Sequence, residues 1–192
     1  MATAEQLLEE RSLTEISVDD LARGAGISRP AFYFYFPSKD AVVLTLVDRL
    51  AEQATNAKNH AVEARDEDPE GAIRESLGIF HAMMGAHRAV IRAVVELSAT
   101  NAEARDLRSQ ITEGWVENTT ARIETERARG KAKTGLPARE LATALVQLNE
   151  RVMLAVFFDE QPAVSEDKLV DVLCEIWLGA IYRDSELRRN GR

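Results

Sequence analysis

Cysteine occurs once in the 192 residues, at Cys174, so no intrachain disulfide can staple the fold. As a lone thiol among apolar neighbours it reads as a small core residue. The five prolines and ten glycines are too few for a low-complexity or collagenous chain. Histidine occurs only at His60, His81 and His87, and the last two lie six residues apart across a helix break, so they do not share a face as a zinc pair would. Neither a metal nor a cofactor is expected. No apolar run reaches the ~20 residues of a membrane span. The opening "MATAEQLLEER" also lacks the basic and apolar regions of an export signal, so a cytoplasmic location with no membrane partner is expected. Carboxylates are plentiful but fall on solvated helical faces, and no Ser, Cys or Lys nucleophile stands near a histidine in a recognisable motif, so an enzyme is not expected. A formal net charge of -8 repels a polyanion, and any contact with nucleic acid has to be local.

What is present is helical periodicity nearly throughout, with no segment alternating like a strand, and the class is all-α. Ser38 is placed to cap a helix over 38–64 that carries Ala41, Leu44, Val47, Leu50 and Ala54 at helical spacing. Asp68 and Pro69 open the next helix, and Gly85 marks its join to "HRAVIRAVVELSA". Leu107, Ile111, Trp115, Thr119 and Ile123 recur every four residues along a helix from about 102 to 129, which stops at Gly130. Pro137 restarts a helix to about 159, and Ser165 caps a last one that reaches about Tyr182.

Residues 12–40 differ in kind. Ser17 and Asp20 have capping-box spacing ahead of a short helix that ends at Gly24 or Gly26, and Ser28 caps a second short helix with Pro30 in its first turn. Two short helices joined by a glycine-bearing turn make a helix-turn-helix, whose second helix offers its N-terminal residues to base edges in the major groove. From Leu21 to Lys39 there is no acid, while Arg23, Arg29 and Lys39 are present, so a phosphate backbone meets least repulsion there. The five consecutive aromatics from Phe32 to Phe36 admit two readings. Either Phe32 and Tyr35 or Phe36 pack inward while Tyr33 faces out, or all five are core of a small three-helix unit.

The stretch "ISVDDLARGAGISRPAFYFYFPSKDAVV" resembles the DNA-binding domain of the TetR family of repressors, unbroken over about 13–50. "GISRPAFYFYFPSKDAVVLTLVDR", "LPARELATAL", "LNER" and "EQP" carry a closer likeness to one member, the repressor of a monooxygenase gene. The resemblance implies a homodimer of nine-helix subunits on a palindromic operator. Residues 1–50 would be the DNA-binding domain and 51–192 the ligand-binding and dimerisation domain. It places Ser28, Arg29, Pro30 and Tyr33 at the groove, Tyr35 and Lys39 on phosphates, and Ser17 at the backbone. Arg29 is either a base reader, as a guanidinium pairs with both major-groove acceptors of guanine, or a plain phosphate contact.

The resemblance also implies an apolar tunnel for a small effector, with Phe80, Met84, Trp115, Met153 and Trp177 as lining and Asn149 as its hydrogen-bonding group. The competing reading is that these side chains are packed core. Ile73, Arg108 and Asn118 stand where the closer relative is aromatic, so a wider or wetter cavity is expected. The family carries a basic arm and a full first helix ahead of "AEQLLEE", whereas this chain starts inside that helix at Met1. Either the start is misplaced or the chain is trimmed; if neither, weaker binding that is less steep in salt is expected. An alternative reading keeps the fold as a ligand-binding dimer with little or no DNA binding.

Overall fold

The computed structural model describes residues 1–64 and 68–182, and every regular element among the described residues is helical. In chain order these are α1 (Ala2–Glu10), α2 (Val18–Gly24), α3 (Arg29–Tyr35), α4 (Lys39–Ala64) and α5 (Pro69–Ala86). There follow α6 (Arg88–Ser98), α7 (Ala102–Ala128), α8 (Ala138–Phe157) and α9 (Leu169–Ile181). Most starts follow from side-chain caps that satisfy otherwise orphaned N–H groups. The Ser17 hydroxyl accepts from the Asp20 N–H at 3.1 Å and the Asp20 carboxylate accepts from the Ser17 N–H at 3.0 Å, which completes the capping box. Ser28, Ser38, Asp68 and Asn101 accept in the same way from Ala31, Ala41, Gly71 and Ala104 at 3.2, 3.1, 3.0 and 3.1 Å.

The join expected at Gly85 is present: α5 ends at Ala86 and the chain turns at His87 into α6. One start differs from expectation. Ser165 makes no capping bond and precedes a 3-10 turn, Glu166–Lys168, that leads into α9.

The described residues form two compact units, Met1–Ala54 with Ala82–Ile111, and those of 55–81 with those from Thr112 onward. In the first, α1, α2, α3, the start of α4, and α6 surround a core that includes Leu8, Ile16, Leu21, Phe32, Val43, Val90 and Val94. The turn between α2 and α3 places Gly26 at φ +67, where a side chain would be strained. Gly24 has a different constraint: a Cβ there would lie 2.4 Å from Thr3 Cγ2 of α1, whose hydroxyl donates to the Gly24 carbonyl at 3.2 Å. The aromatic run divides by periodicity. Phe32 is buried and Phe36 packs half-buried against the same core, whereas Phe34 is 84% and Tyr35 67% exposed, which overturns the reading of all five as core.

In the second unit α8 packs on α9, and Ile123, Ala142, Leu145, Val146 and Ile181 form a core with Trp115 and Trp177 against it. Cys174 is fully buried on α9. The C-terminal end of α7 holds Glu126, also fully buried, within 3.5 Å of the Arg122 guanidinium and 3.4 Å of that of Arg129. The Tyr182 hydroxyl donates to Glu126 Oε2 at 3.4 Å, while Lys133 joins the following loop to α9 through the carbonyls of Ile181 and Gly179.

Burial, and then the Glu126 charge, pushes the Tyr182 phenol from 10.0 up to about 12. The folded state therefore holds the phenol neutral where the unfolded chain releases its proton. The sign of the linkage is fixed: stability is untouched below pH ~10 and falls as pH rises from there toward the folded value. Urea unfolding between pH 9 and 12 should show wild type losing stability faster than Tyr182→Phe, whose profile lacks this limb.

Candidate functional site

Helix α3 is a seven-residue platform whose single fully buried side chain, Phe32, anchors it, leaving Arg29, Pro30, Tyr33, Phe34 and Tyr35 exposed. Ser28 and Ser17, at the starts of α3 and α2, are exposed in the same unit, so the structure brings these expected contact residues onto one compact head. Arg29 and Tyr33 stand one turn apart on one side of the helix. The guanidinium carbon lies 5.7 Å from the Tyr33 ring centroid, and one of its nitrogens donates to the phenol oxygen at 3.5 Å. Phe34, which the sequence reading did not single out, meets the Tyr35 ring edge-on at 5.2 Å.

Folding changes the charge map. The acid-free window is closed by two carboxylates from the first turn of α2. Asp19 Oδ2 accepts from Arg29 at 3.1 Å, and Asp20 lies 3.7 Å from Arg11 and 4.0 Å from Arg23. The Tyr33 hydrogen bond and the Asp19 charge together raise the pKa of the Arg29 guanidinium further.

The second unit gathers most of the expected effector residues. Phe80 and Trp115 meet edge to face at 4.9 Å, and the Trp115 indole N–H donates to Thr55 at 3.3 Å. The Trp177 indole N–H donates to Asn149 Oδ1 at 2.9 Å. An indole nitrogen is only a donor, so this bond assigns the amide oxygen of Asn149 and orients its NH₂ group. Met153, in the same unit, is buried, with 1% of its surface exposed. Met84 is also buried but belongs to the first compact unit. The Thr55 contact with Trp115 was not legible in the sequence, nor was the pairing of His81 with Phe157, whose rings lie 5.3 Å apart. Among the described residues no group of three His, Cys, Asp or Glu is placed to hold a metal. None of the described helices is long and apolar enough to cross a membrane.

Residues 1–46 match the model of bacterial regulatory proteins of the tetR family, and residues 73–183 match that of the C-terminal domain of the transcriptional regulator EthR. The chain belongs to the TetR family. It is 50% identical over 186 residues to the HTH-type transcriptional regulator EthR of Mycobacterium tuberculosis, covering 96% of this chain and 86% of the relative. The EthR of Mycolicibacterium smegmatis is 48% identical over 182 residues, covering 95% and 84%. The fold is also that of the transcriptional regulator FadR from Bacillus subtilis, solved in complex with stearoyl-CoA. That likeness has a TM-score of 0.73 over 94% of this chain and 97% of the other, at 17% identity. The protein is therefore an EthR-like, DNA-binding transcriptional regulator of the TetR family, a family of regulators rather than enzymes.

Within this TetR-family head, Lys39 occupies an unexpected place. Its ammonium donates to the carbonyls of Leu13 at 2.7 Å, Ile16 at 2.9 Å and Thr14 at 3.4 Å. At the first position of α4 a cation is disfavoured by the helix dipole, and reaching back to three carbonyl oxygens compensates it. Lys39→Met keeps the stem and removes the donors, so it should cost about 1.5–3 kcal/mol of stability in the DNA-free protein. Urea denaturation checks this: a lysine serving phosphates alone would leave the midpoint unmoved.

Proposed function

We propose that this regulator is a homodimeric repressor that binds a palindromic operator and is released by a small apolar effector. The monooxygenase gene implied by the resemblance is its proposed target. The observation that carries the DNA-reading part is the exposed Arg29–Tyr33 pair, presented by a helix that Ser28 caps and buried Phe32 anchors. Arg29 reads a guanine edge. Ser17, Ser28, Pro30, Tyr33 and Tyr35 contact the backbone and groove wall, and Lys39 lends its charge while holding the loop beneath. Residues 1–50 are the reading head and 51–192 the effector and pairing domain. Pairing is supported by Val172 and Ile176, one turn apart on α9, which are 37% and 41% exposed, an apolar face suited to a second copy. A seven-residue recognition helix spans few base pairs, so a second copy also supplies the specificity one head lacks.

The effector reading rests on two contacts in the second unit, the Phe80–Trp115 ring pair and the Trp177–Asn149 hydrogen bond, which supply aromatic surface and one oriented amide. The effector is elongated, apolar and uncharged, with one hydrogen-bonding group. It acts only through its differential affinity for the DNA-competent and DNA-incompetent forms.

Two measurements test this. With a duplex selected by the wild-type protein from a random pool, Arg29→Ala should weaken binding by about five- to a hundredfold, and much less on random DNA. Equal weakening on both would make Arg29 a phosphate contact. Asn149→Trp, filling the space beside Trp177, should give a stable dimer by sedimentation with poor binding to the selected duplex. Folded Asn149→Trp that binds normally removes residue 149 from the switch, and loss of folding makes it packed core.

A further inference from the structure

We infer that Asp19 is a positioning residue that sets the DNA selectivity of the head by holding the Arg29 guanidinium away from phosphate. Asp19 is the second residue of α2 and Arg29 the first of α3, and the turn at Gly26 brings them together across ten residues of sequence. The guanidinium is engaged on two sides: one terminal nitrogen donates to Asp19 Oδ2 at 3.1 Å, the other to the Tyr33 hydroxyl at 3.5 Å. Both members of the ion pair are about half exposed, 56% for Arg29 and 52% for Asp19, so either can exchange its partner for a ligand.

Two consequences follow from charge and geometry. A guanidinium has five N–H donors, so the two contacts leave donors to meet the two acceptors of a guanine edge, while its direction is already set. On random DNA, with no such edge in register, the only gain open to Arg29 is a phosphate. Taking it means parting from Asp19 and leaving that carboxylate beside a polyanion. The pair therefore penalises the sequence-independent contact more than the specific one. Asp19 also suits the helix dipole at the start of α2, but that role alone changes stability without changing selectivity.

This inference rests on Arg29 as the base reader, and the test separates the two. Wild type, Asp19→Asn, Arg29→Ala and the double variant are titrated with the pool-selected duplex and with a random duplex of equal length, each across a salt series. Thermal melts of the full chain accompany the titrations. Asp19→Asn should tighten random-DNA binding about two- to fivefold, the scale of one exposed ion pair. It should steepen the random-DNA salt slope by about 0.9 per head, one extra phosphate contact. Binding to the selected duplex should change less, so the ratio falls. In the Arg29→Ala background these changes should vanish, and Asp19→Glu, which retains the charge, should restore the ratio. If Asp19→Asn shifts binding equally with and without Arg29, Asp19 is only a diffuse repulsive charge and the inference is wrong. Equal weakening on both DNAs also overturns it. Failure of Arg29→Ala to discriminate the duplexes would instead defeat the base-reader assignment.

Discussion

The ammonium of Lys39 is the tie on which the reading head depends. The loop between α1 and α2 ends in carbonyls of Leu13, Thr14 and Ile16 that have no helix to receive them, and one side chain from the start of α4 takes all three. Fixing that loop fixes where Ser17 begins α2, and α2 then determines where the Gly26 turn delivers α3. Apolar burial supplies most of the stability: Leu13 and Ile16, which flank the tied carbonyls, sit in the same core as Phe32 and Val43. Burial is not directional, however, and the hydrogen bonds set the geometry that the core alone would leave loose.

In a head built this way three arginines stand beside carboxylates, Arg11 and Arg23 near Asp20 and Arg29 on Asp19. Lys39 keeps its charge but commits its donors to backbone carbonyls. In a chain of net charge -8, long-range attraction to DNA is weak, and binding must come from exchanges made at short range. Such exchanges favour sites that offer hydrogen bonds of the right geometry over sites that offer only charge. A regulator that must leave random DNA to find an operator benefits from that bias.

The second unit solves a different problem with similar means. Glu126 is fully buried, which is tolerable because two arginines and the Tyr182 hydroxyl surround it, and breaking such a set costs far more than forming it gains. The loop after α7 and the end of α9 are thereby held to each other. The indoles of Trp115 and Trp177 each donate to a named side-chain oxygen, as half-buried indoles must.

Local sequence determined the helical class, the caps at Ser17, Ser28, Ser38 and Asp68, the helix-turn-helix, and the family, because each depends on neighbours within a few residues. For the aromatic run periodicity offered a division, Phe32 with Tyr35 or Phe36 inward and Tyr33 outward, beside an all-core reading, and burial in the fold chose Phe32 and Phe36. Local sequence missed the start of α9, where Ser165 makes no capping bond and a 3-10 turn intervenes. What the tertiary structure alone decided was the pairing of polar groups. The acid-free window suggested an open basic patch, yet Asp19 reaches Arg29, and Lys39 turns to carbonyls more than twenty residues away. The Asn149–Trp177 and Glu126–Tyr182 bonds span 28 and 56 residues. Hydrogen bonds and ion pairs act over a few ångströms in space, and only the folded chain decides which distant residues come that close.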